Sequence, residues 1–153
     1  MRLGIAVLLL VTLGAAPASA GDPLSSLRFL VGSWNCTYQM GKASVSYHAT
    51  YAYDMKDNWI SERDVVKGGG ADQGMLTYDP KRGWTAVVIE PERTATIFHA
   101  TGKNAGHIVY HSVYPDASMS EVFDRVSSTR YTLHFHQKAN GKTMTSADTC
   151  VKT

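Results

Sequence analysis

The sequence predicts an all-β protein, a single antiparallel up-and-down β-barrel of about ten strands with a short N-terminal helix. Three observations carry that expectation. Beyond Gly32 no segment sustains a helical period, and short runs rich in β-branched and aromatic residues follow one another instead. Turn-forming residues separate the runs, and no interval between them holds a helix long enough for a parallel crossover, so consecutive strands must pair antiparallel. A meander of this length closes on itself, because closure alone removes its unpaired edges.

The elements can be justified in order. Residues 1–20 read as a cleaved signal peptide: Arg2 supplies a positive start, Leu3 to Leu13 an apolar core, and Ala18-Ser19-Ala20 a small-residue cleavage site. Pro17 and Ser19 interrupt the apolar run too early for a spanning helix. The domain is therefore expected over 21–153, exported to a periplasm or secreted, with no integral membrane segment after cleavage. Asp22-Pro23 is a helix start, a capping side chain followed by a proline that needs no partner for its nitrogen. Leu24, Leu27, Phe29 and Leu30 mark the apolar side of the turns that follow, and Gly32 ends them. Strands are expected at 33–40, 43–53, 58–66, 73–79, 84–90, 94–101, 106–114, 119–126, 129–138 and 142–151. Asn140-Gly141 is the strongest hairpin signal, and Gly68-Gly69-Gly70 reads as a flexible loop over a barrel mouth.

The chain has 153 residues and a formal net charge of +2, which falls to +1 when Arg2 leaves with the signal peptide. The basic residues are scattered, so neither composition nor patterning points to nucleic acid. Cys36 and Cys150 both lie in the exported part, one near each end, and in an oxidising compartment such a pair is expected to form a disulfide. Strand parity raises a conflict. Cys36 shares its face with Trp34 and Tyr38, an apolar set expected inside, whereas Cys150 shares its face with Asp148 and Lys152. Either the last strand is bulged, or it is a closing strand with a polar inner face near the rim.

Several stretches together carry a family resemblance. The short helix leads into "FLVGSWNCTY", Trp59-Ile60 opens the third strand, and "GMLTYDPKRGWTAVVI", "TGKNAGHIVYHSVY" and "VFDRVSSTRYTLHFH" follow. This pattern resembles the lipocalin-like proteins of unknown function found in bacteria, with Gly32-x-Trp34 and Leu76-Thr77-Tyr78-Asp79-Pro80 through Trp84 its sharpest parts. The resemblance implies a calycin-type barrel, distantly similar to fatty-acid-binding proteins and nitrobindins, and makes Trp34 a plug packed on the N-terminal helix. It also implies what is missing. The glycines that follow the nitrobindin Gly-x-Trp are replaced by Asn35, Cys36 and Thr37. The fatty-acid-binding helix pair is replaced by a tight turn at Met40-Gly41-Lys42. The carboxylate clamp of that family, an Arg-x-Tyr, is absent because Arg130 and Tyr131 are adjacent and face opposite sides.

The function expected is binding or sequestering of a small apolar or amphipathic molecule, and the rival reading is a filled barrel serving as an interaction scaffold. Candidate ligand-binding residues are Tyr38, Tyr51, Trp59, Arg63, Phe98, Arg125 and Phe135, an apolar and aromatic set with two cationic anchors. Tyr47, Tyr51 and Tyr53 form a stripe on the second strand. No nucleophile elbow, zinc-protease motif, phosphate loop or dinucleotide fingerprint occurs, so no catalytic residue is assigned. Glu62 and Asp64 share a face and have the residue types of an acid/base pair, but beside Arg63 they read as solvated charge. His134 and His136 lie about 7 Å apart on one face, within reach of one metal ion, yet no spacing supplies a third ligand. Leu133 and Phe135 take the opposite, apolar face, so both histidines are expected in solvent. No metal and no cofactor are assigned. Haem is the sharpest exception, and it requires His134 or His136 to face inward.

Overall fold

The computed structural model describes residues 22–153 except 93, 117 and 140; the expected signal peptide lies outside the described residues. A 3-10 helix, Pro23–Leu30, precedes ten strands: β1 Gly32–Met40, β2 Ala43–Asp54, β3 Trp59–Val66, β4 Ala71–Asp79, β5 Gly83–Ile89, β6 Ala95–Ala100, β7 His107–Tyr114, β8 Met119–Arg125, β9 Arg130–Ala139 and β10 Lys142–Lys152. Every strand begins and ends within two residues of its expected position. Each pairs antiparallel with its chain neighbours, and β10 closes the barrel on β1.

The helix starts as its sequence dictates. Asp22 accepts a hydrogen bond from the Leu24 amide at 3.2 Å, and Pro23 occupies the first turn, where its missing N–H costs nothing. Leu24, Leu27 and Leu30 are all buried against the end of the barrel. Gly32 then takes φ +122°, a conformation most side chains resist, and turns the chain into β1.

That end of the barrel is solid. Trp34 is fully buried and its indole N–H donates to the Leu30 carbonyl at 2.6 Å, so the plug and the helix are tied directly. Phe29 and Tyr131 meet the Trp34 ring edge-on at 6.1 and 4.9 Å between centroids. Lys152 closes the arrangement from β10: its ammonium lies 5.3 Å from the Trp34 ring centre and donates to the Phe29 carbonyl at 2.6 Å. On the far side Trp84 is equally buried, with Tyr78 edge-on at 4.9 Å. Gly83, next to it, has φ +94°, and a β-carbon there would run into the Ala100 carbonyl.

The parity conflict resolves in favour of a polar closing strand. Cys36 and Cys150 are register partners with Cα atoms 4.1 Å apart and form a disulfide. The β1–β10 register runs without a shift from Trp34–Lys152 to Gln39–Ala147. With Cys150 inside, Asp148 and Ser146 are inside too.

The opposite end of the barrel is open. The β1–β2 hairpin turns there through Gly41 (φ +59°), the β3–β4 loop through Gly68 (φ +75°), and the β9–β10 hairpin through Gly141 (φ +72°). Gly70 stands against Pro91 of the next loop on that rim.

Candidate functional site

Between the helix floor and the open rim lies a cavity of about 410 Å³. This is within the ordinary range for small-molecule sites, roughly 300–1,000 Å³. Its apolar wall is made by Leu76 and Ala86 on β4 and β5, Phe98 on β6, Ile108 on β7 and Leu133 on β9, above Leu27 and Leu30 of the helix. Against this wall stands a set of acids. Glu62 and Asp64 on β3, Asp72 on β4, Glu121 on β8 and Asp148 on β10 all line the cavity, and among the described residues no lysine, arginine or histidine does.

Strand geometry explains why these acids point inward. Ile60 is fully buried and Val66 lines the cavity, so the alternate residues between them, Glu62 and Asp64, must share that face. The expectation that Glu62 and Asp64 are solvated is therefore corrected, because Arg63, between them, takes the outside instead. Glu121 is carried in by Phe123 two residues on, and Asp148 by Cys150.

Tyrosines from facing strands hold part of this set. Tyr51 donates to Glu62 Oε1 in a short hydrogen bond, and the hydroxyls of Tyr51 and Tyr131 are 2.7 Å apart. Tyr51 has one proton and gives it to Glu62, so Tyr131 donates to Tyr51. Tyr47 donates to Asp148 Oδ1 at 3.0 Å. Glu121 has no hydrogen-bond partner among the described residues, and Asp64 keeps one buried oxygen, Oδ1, without one. The only carboxylate contact with a basic side chain at salt-bridge distance among the described residues is His107–Asp124 on the outer surface, at 2.6 Å, so no described basic side chain pairs with a lumenal acid.

Burial without counter-charge raises the proton affinity of every member. Glu121 is pushed up to about 8, chiefly by burial and then by the charges of Glu62 and Asp148. Asp148 rises to about 6 through burial, held back by the Tyr47 hydrogen bond and by His134. Glu62 and Asp64 are both raised, first by burial, and Glu62 adds its repulsion to Asp64. The Tyr51 bond works against the shift at Glu62. Asp72, nearer the rim, is raised by burial and by Glu90 and Glu92. Burial also pushes up the hydroxyls of Tyr47, Tyr51, Tyr110 and Tyr131, which keeps them neutral donors.

Of the residues assigned from sequence, Tyr38, Tyr51 and Phe98 line the cavity. Trp59, Arg63, Arg125 and Phe135 do not. Trp59 and Arg63 have the parity opposite to Ile60 and face out. Arg125 is exposed at the end of β8, where its guanidinium stacks 4.3 Å from the Phe29 ring centre outside the barrel floor. Phe135 packs on the core without reaching the cavity surface. His134 and His136 are both exposed on the outer face of β9, so the condition for either to serve as an inward haem ligand is not met.

No protein-family model matches the chain, and no curated protein matches it. Its architecture does match solved structures. The S-type phycobiliprotein lyase CPES from Guillardia theta superposes with a TM-score of 0.53 at 13% identity, over 86% of this chain and 93% of that one. The shared fold is a barrel, which in this chain is a closed antiparallel one of ten strands. A second solved structure, EF1p2_mFAP2b bound to DFHBI, aligns at a TM-score of 0.48 and 9% identity over 86% of this chain and all of that one. The likeness to the lyase is one of fold: a closed antiparallel barrel around a lumen, with the chemistry of that lumen set by this chain's own residues.

Proposed function

We propose that this protein binds and sequesters a small amphipathic molecule inside its barrel, in an exported setting. The observation that carries the reading is the 410 Å³ cavity, walled by Leu76, Phe98 and Ile108 and studded with polar groups, in a barrel whose other end is sealed. A scaffold that used its barrel only for rigidity would fill it with side chains, as the Trp34 end is filled. The fold neighbour from Guillardia theta is a phycobiliprotein lyase, and by analogy of fold it supports a small-molecule reading of the barrel. The Cys36–Cys150 bridge suits an oxidising compartment, which agrees with the sequence of residues 1–20.

The test is titration with Nile red, a neutral apolar dye that brightens when it leaves water. One-site saturable binding is expected, and Ala86→Trp, which places an indole in the lumen, should abolish it while leaving the β-sheet circular dichroism unchanged. Dye binding that is unsaturable, or indifferent to Ala86→Trp, overturns the reading.

A further inference from the structure

We propose that the molecule held in this barrel is a protonated amine with an apolar body, its ammonium seated among Glu62, Asp64, Glu121 and Asp148. This rests on the small-molecule reading above and specifies the ligand's charge.

Three features of the lumen point the same way. First, the acids converge from β3, β8 and β10 on one lumen, and among the described residues no basic side chain lines it. Two arginines that would anchor an anionic headgroup, Arg63 and Arg125, are exposed outside. A carboxylate or phosphate ligand would meet repulsion and, among the described residues, no cationic partner. Second, the set is incompletely satisfied. Glu121 has no hydrogen-bond partner among the described residues, and Asp64 Oδ1 is buried without one. An unpaired acid held in an apolar chamber is costly, and a cation arriving there removes the cost. Third, space has been kept for a carboxylate at the centre. Gly74 lies opposite Glu62 in the β3–β4 register, and a β-carbon at Gly74 would fall 2.6 Å from Glu62 Oε2.

The surroundings of the acids favour a cation over a neutral donor. Tyr47 and Tyr51 on β2, Tyr110 on β7 and Tyr131 on β9 bring ring edges, faces and neutral hydroxyls to the lumen. Asp72 adds negative charge from β4 near the rim. The floor, from the helix, contributes only Leu27 and Leu30. With no ligand present, burial and then mutual repulsion hold protons on part of the set. An entering ammonium displaces those protons, so amine binding releases protons to solvent and strengthens as pH rises.

The experiment compares three probes of one length, octylamine, octanol and octanoate, by isothermal calorimetry at pH 6 and pH 8. Octylamine is expected to bind about 30-fold more tightly than octanol at pH 8, with octanoate weakest, because a paired buried charge outweighs a neutral hydrogen bond. Its affinity should rise about tenfold from pH 6 to pH 8. Its heat should vary with the ionisation enthalpy of the buffer in the sense of proton release. Glu121→Gln should lower octylamine affinity about tenfold and leave octanol within about twofold, since Glu121 belongs to no hydrogen-bond network whose loss would unfold the barrel. Glu62→Gln should act in the same direction. Octanol or octanoate binding as tightly as octylamine, or no octylamine binding by a protein that binds Nile red, overturns the amine assignment and leaves the small-molecule reading standing. Failure of Nile red and all three probes overturns both.

Discussion

Gly74 and Glu62 face each other across the β3–β4 ladder, and the glycine's missing side chain is what leaves room for the carboxylate. A β-carbon at Gly74 would lie 2.6 Å from Glu62 Oε2 and 3.1 Å from Glu62 Cβ. The need is for space alone, since nothing about the Gly74 backbone demands a glycine. The pair links sheet register to the chemistry of the lumen, because Glu62 is also the acid that Tyr51 holds.

Gly74→Ala should therefore push the Glu62 side chain away from Tyr51 and destabilise the protein by about 1–3 kcal/mol, the usual cost of overpacking. Glu62→Ala removes the obstructing carboxylate, so the double variant should lose less than the sum of the two single losses. A coupling of about 1 kcal/mol or more in urea unfolding is the expected result. Strict additivity would show that the two residues do not contest the same space.

Removing the Tyr51 hydroxyl tests the polar network itself. Tyr51→Phe strands Glu62 Oε1 and takes away the acceptor used by Tyr131, and leaving buried groups unpaired costs about 1–3 kcal/mol. The Tyr51 bond is also what restrains the proton affinity of Glu62, so its loss should drive the Glu62 pKa higher still. Carbon-detected NMR titration of the Glu62 carboxyl reads this directly. An unchanged or lowered midpoint would contradict the network.

The raised carboxyl groups set an unusual direction for stability against pH. In the unfolded chain these acids titrate near 4, whereas Glu121 titrates at about 8 and Asp148 at about 6 in the fold. Between those limits the native state holds more protons than the unfolded state, so unfolding free energy falls as pH rises. The protein without ligand should be most stable near pH 4–5 and lose stability steadily up to pH 8. A fall of about 2 kcal/mol corresponds to roughly 4–8 °C in melting temperature. Glu121→Gln, which cannot titrate, should flatten the profile. A melting temperature that climbs from pH 5 to pH 8 would show that these groups are ionised and compensated in the native barrel.

The strands were legible in the sequence because turn residues and alternation fix them locally: Met40-Gly41-Lys42 and Asp79-Pro80 through Gly83 mark hairpin ends with no help from tertiary contacts. The inside of the barrel was less legible. Charge alone assigned Glu62 and Asp64 to solvent and Arg63 to the pocket, which inverts the observed faces. The deciding signal was parity, since Ile60 and Val66 bracket the two acids on one face. Asp148 was likewise fixed by the cysteines: once Cys150 bridges to Cys36 beside the buried Trp34, its i−2 neighbour must also point in. Arg125 does follow the inward parity of Phe123, but it lies at the last position of β8, where the strand has reached the barrel floor and Phe29 offers a ring outside. That outcome depends on where the helix packs, which no local pattern encodes.

The bridge that fixed Asp148 also makes a separate prediction about stability. Cys36 and Cys150 are 114 residues apart in sequence, so their disulfide removes the freedom of nearly the whole chain in the unfolded state. In the chain-entropy model a loop of that length is worth about 4–5 kcal/mol. Within the fold, the β1–β10 ladder on either side of the bridge is held by its own backbone hydrogen bonds from Trp34–Lys152 to Gln39–Ala147. The double variant Cys36→Ala/Cys150→Ala should therefore still close the barrel, with unchanged circular dichroism and Nile red affinity, while its urea midpoint drops sharply. The loss should appear without change in native-state ligand binding, since it arises in the unfolded ensemble. A variant that loses less than about 1 kcal/mol would mean that the unfolded chain already keeps β1 and β10 together.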